Sequence, residues 1–362
     1  MKIVHVVEPF ASGIAEFVKS LVENLSEDTH IIIHGERDYV MKFNEVVRHF
    51  PKKNVRFLRW KSAQREISIT KDTAAFMELY TILRRLKKNE LVDAVHLHSS
   101  KSGFLGRLAC RMAGINNVVY TPNGAPFFVG KNEFTNYFYK QLEKLGASFG
   151  GKIVCCSESE LEAYRKLGLD AININNGILP LAGATPKSAS LAGNGFRVVT
   201  SGRIIEQKNP ALFNAIALYF EEFEQFEFIW VGDGHIDAKA RLTAKNIQIT
   251  GWLEKNEAAK QVTEGDIYLS TANFEGLPFA VLEALSLKKP VLLSDCIGNR
   301  DLVKKGMNGD LFNNASDAII KILLYFNNLD MLSVMGNHSA NICASEFHIH
   351  STYSGYQHLY KS

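Results

Sequence analysis

The chain has 362 residues, more than one hydrophobic core usually organises, so two domains are expected. Its 46% hydrophobic and 22% charged residues exclude a disordered or fibrous chain, and no apolar run approaches the roughly 18 residues of a membrane-spanning helix. The net charge of +3 hides an asymmetry: residues 1–181 carry 25 Lys+Arg against 19 Asp+Glu, and the remainder is acidic by 3.

The chain opens on MKIVHVVEPF, a short apolar run broken by His5, Glu8 and Pro9. This pattern predicts a buried strand and not a secretory signal, and with five cysteines lacking any CxxC pair it points to a cytoplasmic protein. Val- and Ile-rich runs then alternate with amphipathic segments. Met1–Val7 precedes a helix over Ile14–Leu25; Thr29–His34 follows; Ala94–His98 leads into Leu105–Ala113; Asn117–Thr121 and Lys152–Cys156 complete the first half. Such alternation predicts a parallel sheet of βαβ units. Between the second and third of these strands, Lys52–Arg65 holds six cations and no acid, with Phe57 and Trp60 interleaved. Three meanings stand side by side: a solvated basic face, a patch for a peripheral contact with an anionic membrane, or one for a phosphorylated substrate. Nucleic acid is not expected, since no binding motif accompanies the charge.

The alternation stops at Leu179–Gly195, where 12 of 17 residues are Ala, Gly, Ser, Thr or Pro, a linker composition. It restarts with strands at Phe196–Ser201, Phe226–Val231, Ile247–Thr250, Ile267–Ser270 and Pro290–Ser294. The expected architecture is α/β: two Rossmann-like, doubly wound parallel-sheet domains, residues 1–180 and 181–345, facing across a cleft. The tail, 346–362, spaces Phe347, Tyr353, Tyr356 and Tyr360 along a helix that either ends the second domain or crosses back to the first.

Chemistry concentrates at strand ends. Glu275 follows Ile267–Ser270, and Glu283 lies eight residues on, inside the next helix. Between them the helix N-terminus offers backbone N–H groups of Gly276, Leu277 and Phe279, Pro278 having none. A carboxylate on either side of an anion site suits a nucleotide sugar, whose hydroxyls flank a diphosphate. Gly202-Arg203 ends the first strand of the second half, with Lys208 one loop later; two cations there would meet the charge that builds on a departing diphosphate.

In this order, Gly202-Arg203 with Lys208, Val231-Gly232-Asp233-Gly234, Gly251-Trp252, Glu275/Glu283, and Gly298-Asn299-Arg300-Asp301 resemble family-4 retaining glycosyltransferases of GT-B fold. Gly13, His96-Leu97-His98-Ser99, Tyr120-Thr121-Pro122-Asn123-Gly124 and Asn176-Gly177-Ile178 extend the resemblance through the first half. It implies that Arg203 and Lys208 bind the donor diphosphate, Glu275 the sugar and Glu283 the ribose. It also implies that Gly13 lets its loop approach the phosphates and that Leu253, beside Trp252, lies by the base. Three departures stand out: Ser12 replaces a first glycine, Gly298-Asn299-Arg300-Asp301 replaces Gly-Gly-x-x-Glu, and Asn123 replaces the histidine usual near the reaction centre. An amide there makes hydrogen bonds but carries no proton.

The expected activity is transfer of a sugar from a nucleotide diphosphate donor, UDP-linked, to a hydroxyl of a glycan or lipid-linked saccharide acceptor in surface polysaccharide synthesis. The leaving phosphate would take the acceptor's proton. No metal or other cofactor is expected, for there is no Asp-x-Asp, and His96/His98 pack or cap on one strand. Gly232-Asp233-Gly234 lacks the third glycine of a nicotinamide fingerprint. Two alternatives stay open: an epimerase or hydrolase on the same fold, and a weakly catalytic binding subunit, the latter motivated by Asn123.

Overall fold

The structure, a computed structural model, describes residues 1–36, 43–64, 67–128, 132–181 and 195–362. The expected linker therefore lies largely outside the described residues, as does Arg65.

The chain divides into two compact units, Met1–Asn176 with His350–Ser362, and Gly177–Ile349. In the first, β1 (Lys2–Val7), β2 (Thr29–His34), β3 (Val55–Arg59), β4 (Ala94–His98), β5 (Val118–Thr121), β6 (Lys152–Cys155) and β7 (Ala171–Asn173) alternate with α1 (Ser12–Asn24), α2 (Phe43–Val47), α3 (Ile69–Asn89), α4 (Ser100–Ala113), α5 (Glu133–Ala147) and α6 (Glu158–Lys166). All pairings are parallel, in the order β3-β2-β1-β4-β5-β6-β7. The second unit holds β8 (Phe196–Ser201), α7 (Pro210–Tyr219), β9 (Phe226–Val231), α8 (Ile236–Lys239), β10 (Ile247–Ile249), α9 (Lys255–Glu264), β11 (Ile267–Ser270), α10 (Phe279–Ser286), β12 (Val291–Ser294), β13 (Gly309–Phe312), α11 (Ala315–Phe326) and α12 (Leu329–Glu346). Its parallel sheet runs β10-β9-β8-β11-β12-β13. Both sheets thus reverse direction of growth beside their first strand, at β1/β4 and β8/β11. Such a switch point opens a crevice beyond the strands' carboxyl ends.

Helices on both faces explain why the central strands are buried, β11 and β12 at every position. The second core is aromatic, with Phe196, Phe213, Phe220, Phe226, Phe228 and Trp230 in one cluster. Around β1 the first unit packs Val7, Phe10, Val18, Val22, Ile32 and Phe50.

The last helix, α13 (Ile349–Lys361), belongs almost entirely to the first unit. Thr352 Oγ1 donates to Asn175 O at 2.8 Å, Asn117 Nδ2 donates to Tyr360 O at 2.8 Å, and the Tyr356 hydroxyl lies 3.0 Å from Thr121 Oγ1. Among the described residues no single helix is long and apolar enough to cross a membrane.

The structure corrects the picture of Lys52–Arg65. Its middle is β3, the edge strand, whose alternation turns Phe57 toward the core cluster. Trp60 is buried and donates its indole N–H to Ala75 O at 2.9 Å. Arg56 pairs with Glu90 at 2.6 Å and Arg59 with Glu36 at 3.0 Å. The aromatics are structural, and two of the cations are already answered by acids.

Candidate functional site

In the second unit the loops after β8, β9, β11 and β12 interlock, and their glycines are there because backbone touches backbone. A Cβ on Gly232 would stand 2.2 Å from Gly202 O, and one on Gly234 2.2 Å from Ile204 O. Gly202 N donates to Val231 O at 2.9 Å, Ile204 N to Asp233 O at 2.8 Å, and Trp230 Nε1 to Gly202 O at 2.9 Å. Gly232-Asp233-Gly234 is thus a seam that holds the Gly202-Arg203 loop. A Cβ on Gly298 (φ +81°) would likewise stand 2.5 Å from Gly276 O, while Glu275 N donates to Ile297 O at 3.1 Å. The Gly298-Asn299 loop therefore lies on the backbone of Glu275-Gly276.

Lys208-Asn209-Pro210 has a local logic too. Lys208 ends a single 3₁₀ turn; Asn209 sits at φ +52°, a left-handed position that Asn tolerates, and its side chain caps Leu212 N; Pro210 opens α7. Lys208 Nζ is thereby placed 2.7 Å from Glu275 Oε1. Gln207 Nε2 donates to Glu275 Oε2 at 3.2 Å and to Phe274 O at 3.1 Å, and Thr271 Oγ1 donates to Lys208 O at 2.8 Å. This locks the loop after β8 to the loop after β11 at the β8/β11 switch point. Burial alone would lower the Lys208 pKa; the Glu275 carboxylate, with Tyr268 beside it, overrides that and holds it above its ordinary value.

Tyr268 feels both Lys208 and Glu283. Its hydroxyl lies 3.0 Å from Ser201 Oγ, and its pKa is raised, first by burial, with Lys208 pulling it down and Glu283 pushing it up. Glu283, half-buried on α10, has Lys255 Nζ 3.8 Å from its Oε1. Gly276 and Leu277 are buried at the approach to α10, whose first turn begins at Phe279. Arg203 and Leu253 are both half-buried on loops of this unit. The sequence did not single out Gln207, Thr271 and Tyr268, although Gln207 stands next to Lys208 and was the one available signal.

Gly13 and Asn123 belong to the first unit. Gly13 is exposed in the first turn of α1, just beyond β1. Its backbone is helical, so no turn demands glycine there. Asn123 follows β5 at φ +56°, again a left-handed position, and its Nδ2 donates to Thr121 O at 3.2 Å. The next amide, Gly124 N, donates 2.9 Å to Glu160 Oε1, while Glu160 Oε2 accepts from Cys156 N at 2.9 Å. Glu160 is fully buried, and burial holds its carboxyl above the usual range despite those donors.

The structure also joins four histidines that looked separate. His30 Nε2 lies 3.1 Å from Leu25 O, His30 Nδ1 3.1 Å from His5 Nε2, and His5 Nδ1 3.1 Å from His98 Nε2. A carbonyl only accepts, so His30 must donate to it, His5 to His30, and His98 to His5. One backbone oxygen orders every proton in the chain, and His98 Nδ1 is left as a bare, buried lone pair. His96 Nδ1 meets the Tyr360 hydroxyl at 2.6 Å and its Nε2 meets Thr121 Oγ1 at 2.8 Å. Ligand atoms of His5, His96 and His98 lie within 4.8 Å of one another, the one group with metal-ligand spacing among the described residues. His5, His30 and His96 have partners at both ring nitrogens, and His98 Nδ1 is the one ring nitrogen of the network without one.

Family models match both units: Glycosyltransferase Family 4 over residues 11–178, and Glycosyl transferases group 1 over residues 195–327. A UDP-Gal:alpha-D-GlcNAc-diphosphoundecaprenol alpha-1,3-galactosyltransferase of Escherichia coli is 31% identical over 308 residues, 79% of this chain and 78% of that protein. Among solved structures, a sucrose-phosphate synthase from Thermosynechococcus elongatus superposes with a TM-score of 0.80 at 14% identity, covering 100% of this chain and 98% of that one. Anabaena HepE in complex with UDP and glucose does so at 0.77 and 16%, covering 100% of both. The chain belongs to glycosyltransferase family 4 and is a glycosyltransferase of GT-B fold.

Proposed function

We propose that this enzyme moves a hexosyl or N-acetylhexosaminyl group from a UDP-sugar to a hydroxyl of a lipid-linked saccharide, with retention of configuration, in the assembly of a surface polysaccharide. The observation that carries the proposal is the Lys208–Glu275 pair, 2.7 Å apart at the β8/β11 switch point. The activity of the Escherichia coli relative, with a UDP-galactose donor and a lipid diphosphate-linked GlcNAc acceptor, supplies the substrate class.

Chemically the pair divides the labour. As the glycosidic bond lengthens, negative charge builds on the departing diphosphate; Lys208 and Arg203 stabilise it where it appears, with the amides of Gly276, Leu277 and Phe279 at the start of α10. Each Glu275 oxygen already engages one protein group and keeps lone pairs for sugar hydroxyls. Glu283 takes the ribose hydroxyls, Leu253 lies by the uracil, and Gly13 leaves room for the phosphates. Asn123 hydrogen-bonds substrate and transfers no proton. The diphosphate oxygen that leaves accepts the acceptor's proton on the same face, so no side-chain base is required. The cations at the leaving group make turnover independent of a divalent ion.

The test is transfer from a panel of UDP-sugars to a GlcNAc-diphosphate-lipid acceptor, with the product's anomeric configuration read by NMR. An α-linked product from an α-linked donor, formed at full rate in excess chelator, is expected. An inverted product overturns the mechanism. Free sugar released without transfer points to a hydrolase, and donor binding with neither product points to a non-catalytic subunit.

A further inference from the structure

Helix α5 turns Glu143 and Gly146 into the first unit and an apolar face to solvent. Phe134 is 81% exposed, Tyr137 60%, Phe138 44% and Leu145 50%. At 100° per residue these four positions fall within one stripe about 100° wide, and the only polar side chain inside it is Gln141. A single exposed apolar residue is ordinary; four at helical spacing form a patch. Along one edge run Lys140 and Lys144, one turn apart, with Lys144 exposed. Just beyond the helix, Arg111 Nη1 donates to Ser148 O at 2.7 Å, and Met112 beside it is 56% exposed. Glu133, in the first turn, is the one acid on the outward side.

We propose that this face of α5 docks on an anionic lipid bilayer. The composition selects that occupant. Phenylalanine enters the acyl boundary, tyrosine keeps its hydroxyl at the headgroups, and the lysines lay their stems along the apolar face with ammonium groups among lipid phosphates. A second copy of the chain fits worse, because both copies would bring the same basic edge to the contact with only Glu133 to answer it. The lipid-linked acceptor proposed above gives the docking its purpose, but the docking is measurable without turnover. It also relocates the membrane contact expected of Lys52–Arg65, where Trp60 is buried and Arg56 and Arg59 are paired.

Co-sedimentation of the full chain with vesicles decides it, using phosphatidylcholine alone and phosphatidylcholine mixed with phosphatidylglycerol, at low and physiological salt and without donor or acceptor. The wild type should favour the anionic vesicles. Changing Phe134→Ser, Tyr137→Ser and Phe138→Ser together should weaken vesicle binding on the order of a hundredfold at either salt, by removing apolar surface from the bilayer. Thermal stability and UDP binding should stay unchanged, which separates lost docking from lost fold. Lys140→Gln with Lys144→Gln should abolish the preference for anionic vesicles, whereas Arg56→Gln, Arg59→Gln and Lys61→Gln together should bind as the wild type. Vesicle binding unaltered in the aromatic triple variant overturns the proposal. So does its loss in the β3 variant, or a concentration-dependent dimer that the aromatic changes dissolve. Absence of sugar transfer with vesicle binding intact would instead count against the proposed function and leave the docking surface standing.

Discussion

In the first unit, β1, β2 and β4 carry His5, His30, His96 and His98 into the sheet's interior, fully buried. In the second, the strands at the same sheet positions, β8, β9 and β11, carry Val198, Phe228 and Leu269 instead, and polarity is concentrated in the loops beyond their carboxyl ends. His98, His5 and His30 form a neutral, proton-ordered chain ending on Leu25 O, while Lys208 and Glu275 pair as ions with each other. The difference separates scaffold from site. A neutral network offers a ligand no charge, and its one spare atom, His98 Nδ1, is buried in the sheet's interior. An ion pair at a strand end keeps spare lone pairs and N–H groups for a polar, charged substrate.

The largest expected effect comes from acid. Burial pushes His98 down to about 3 and holds His5 and His96 well below their ordinary value; His34 falls to about 4 for the same reason, helped by Arg59. Below about pH 6.5 the unfolded chain binds protons that the folded chain refuses, so stability falls as pH falls, by up to about 1.4 kcal/mol per pH unit per histidine. Between pH 6.5 and 5 the buried histidines therefore destabilise the first unit increasingly as pH falls. Hydrogen exchange resolved by sheet should show the first unit losing protection in this window ahead of the second. Simultaneous loss in both sheets would erase the contrast.

Next is the ion pair. Lys208→Met strands a buried carboxylate and should cost about 3 kcal/mol or more in the second unit's stability, read by thermal unfolding. Adding Glu275→Gln should restore most of that stability without restoring transfer. Glu275→Gln alone should lower kcat by roughly 10- to 150-fold, the loss of one charge-assisted hydrogen bond. A double variant no more stable than Lys208→Met would show that the stranded carboxylate is not the cause.

Two glycines sharpen the account of the loop seam. Gly232→Ala brings a Cβ to 2.2 Å from Gly202 O at φ +144°, whereas Gly251→Ala, at φ +73°, meets nothing within 4 Å. The first should cost about 1–3 kcal/mol and weaken UDP binding through the Gly202-Arg203 loop; the second should cost about 1 kcal/mol and leave UDP binding intact. Calorimetry with UDP reads both, and equal losses would argue against the seam. The smallest effect belongs to Lys255→Ala. It opens a 3.8 Å pair between the exposed Lys255 and the half-buried Glu283 and should change stability by less than about 1 kcal/mol.

The strand signal was legible wherever a run was mostly apolar, as at Lys2–Val7 or Ile267–Ser270. It failed for β3, whose Val-Arg-Phe-Leu-Arg alternates because an edge strand has a wet side, and for the short β7 and β13. The Lys208 and Glu275 positions were legible because strand-to-loop transitions carry their own punctuation, such as Asn209-Pro210 and Gly276. Gln207, Tyr268 and Ser201 were not, since a polar residue on a loop or strand end is common until its partner is known.

By itself the sequence determined two parallel α/β halves and the residue types waiting at the strand ends, all set by local periodicity and turn chemistry. Only the tertiary structure decided which of those residues meet. Lys208 and Glu275 are 67 positions apart, and His5 finds His98 across 93. Strand order, which no local signal encodes, brings them within hydrogen-bonding distance. The same step buried Trp60 and left Phe134 and Tyr137 in solvent, because packing against neighbouring elements decides which aromatics are core, and composition alone does not.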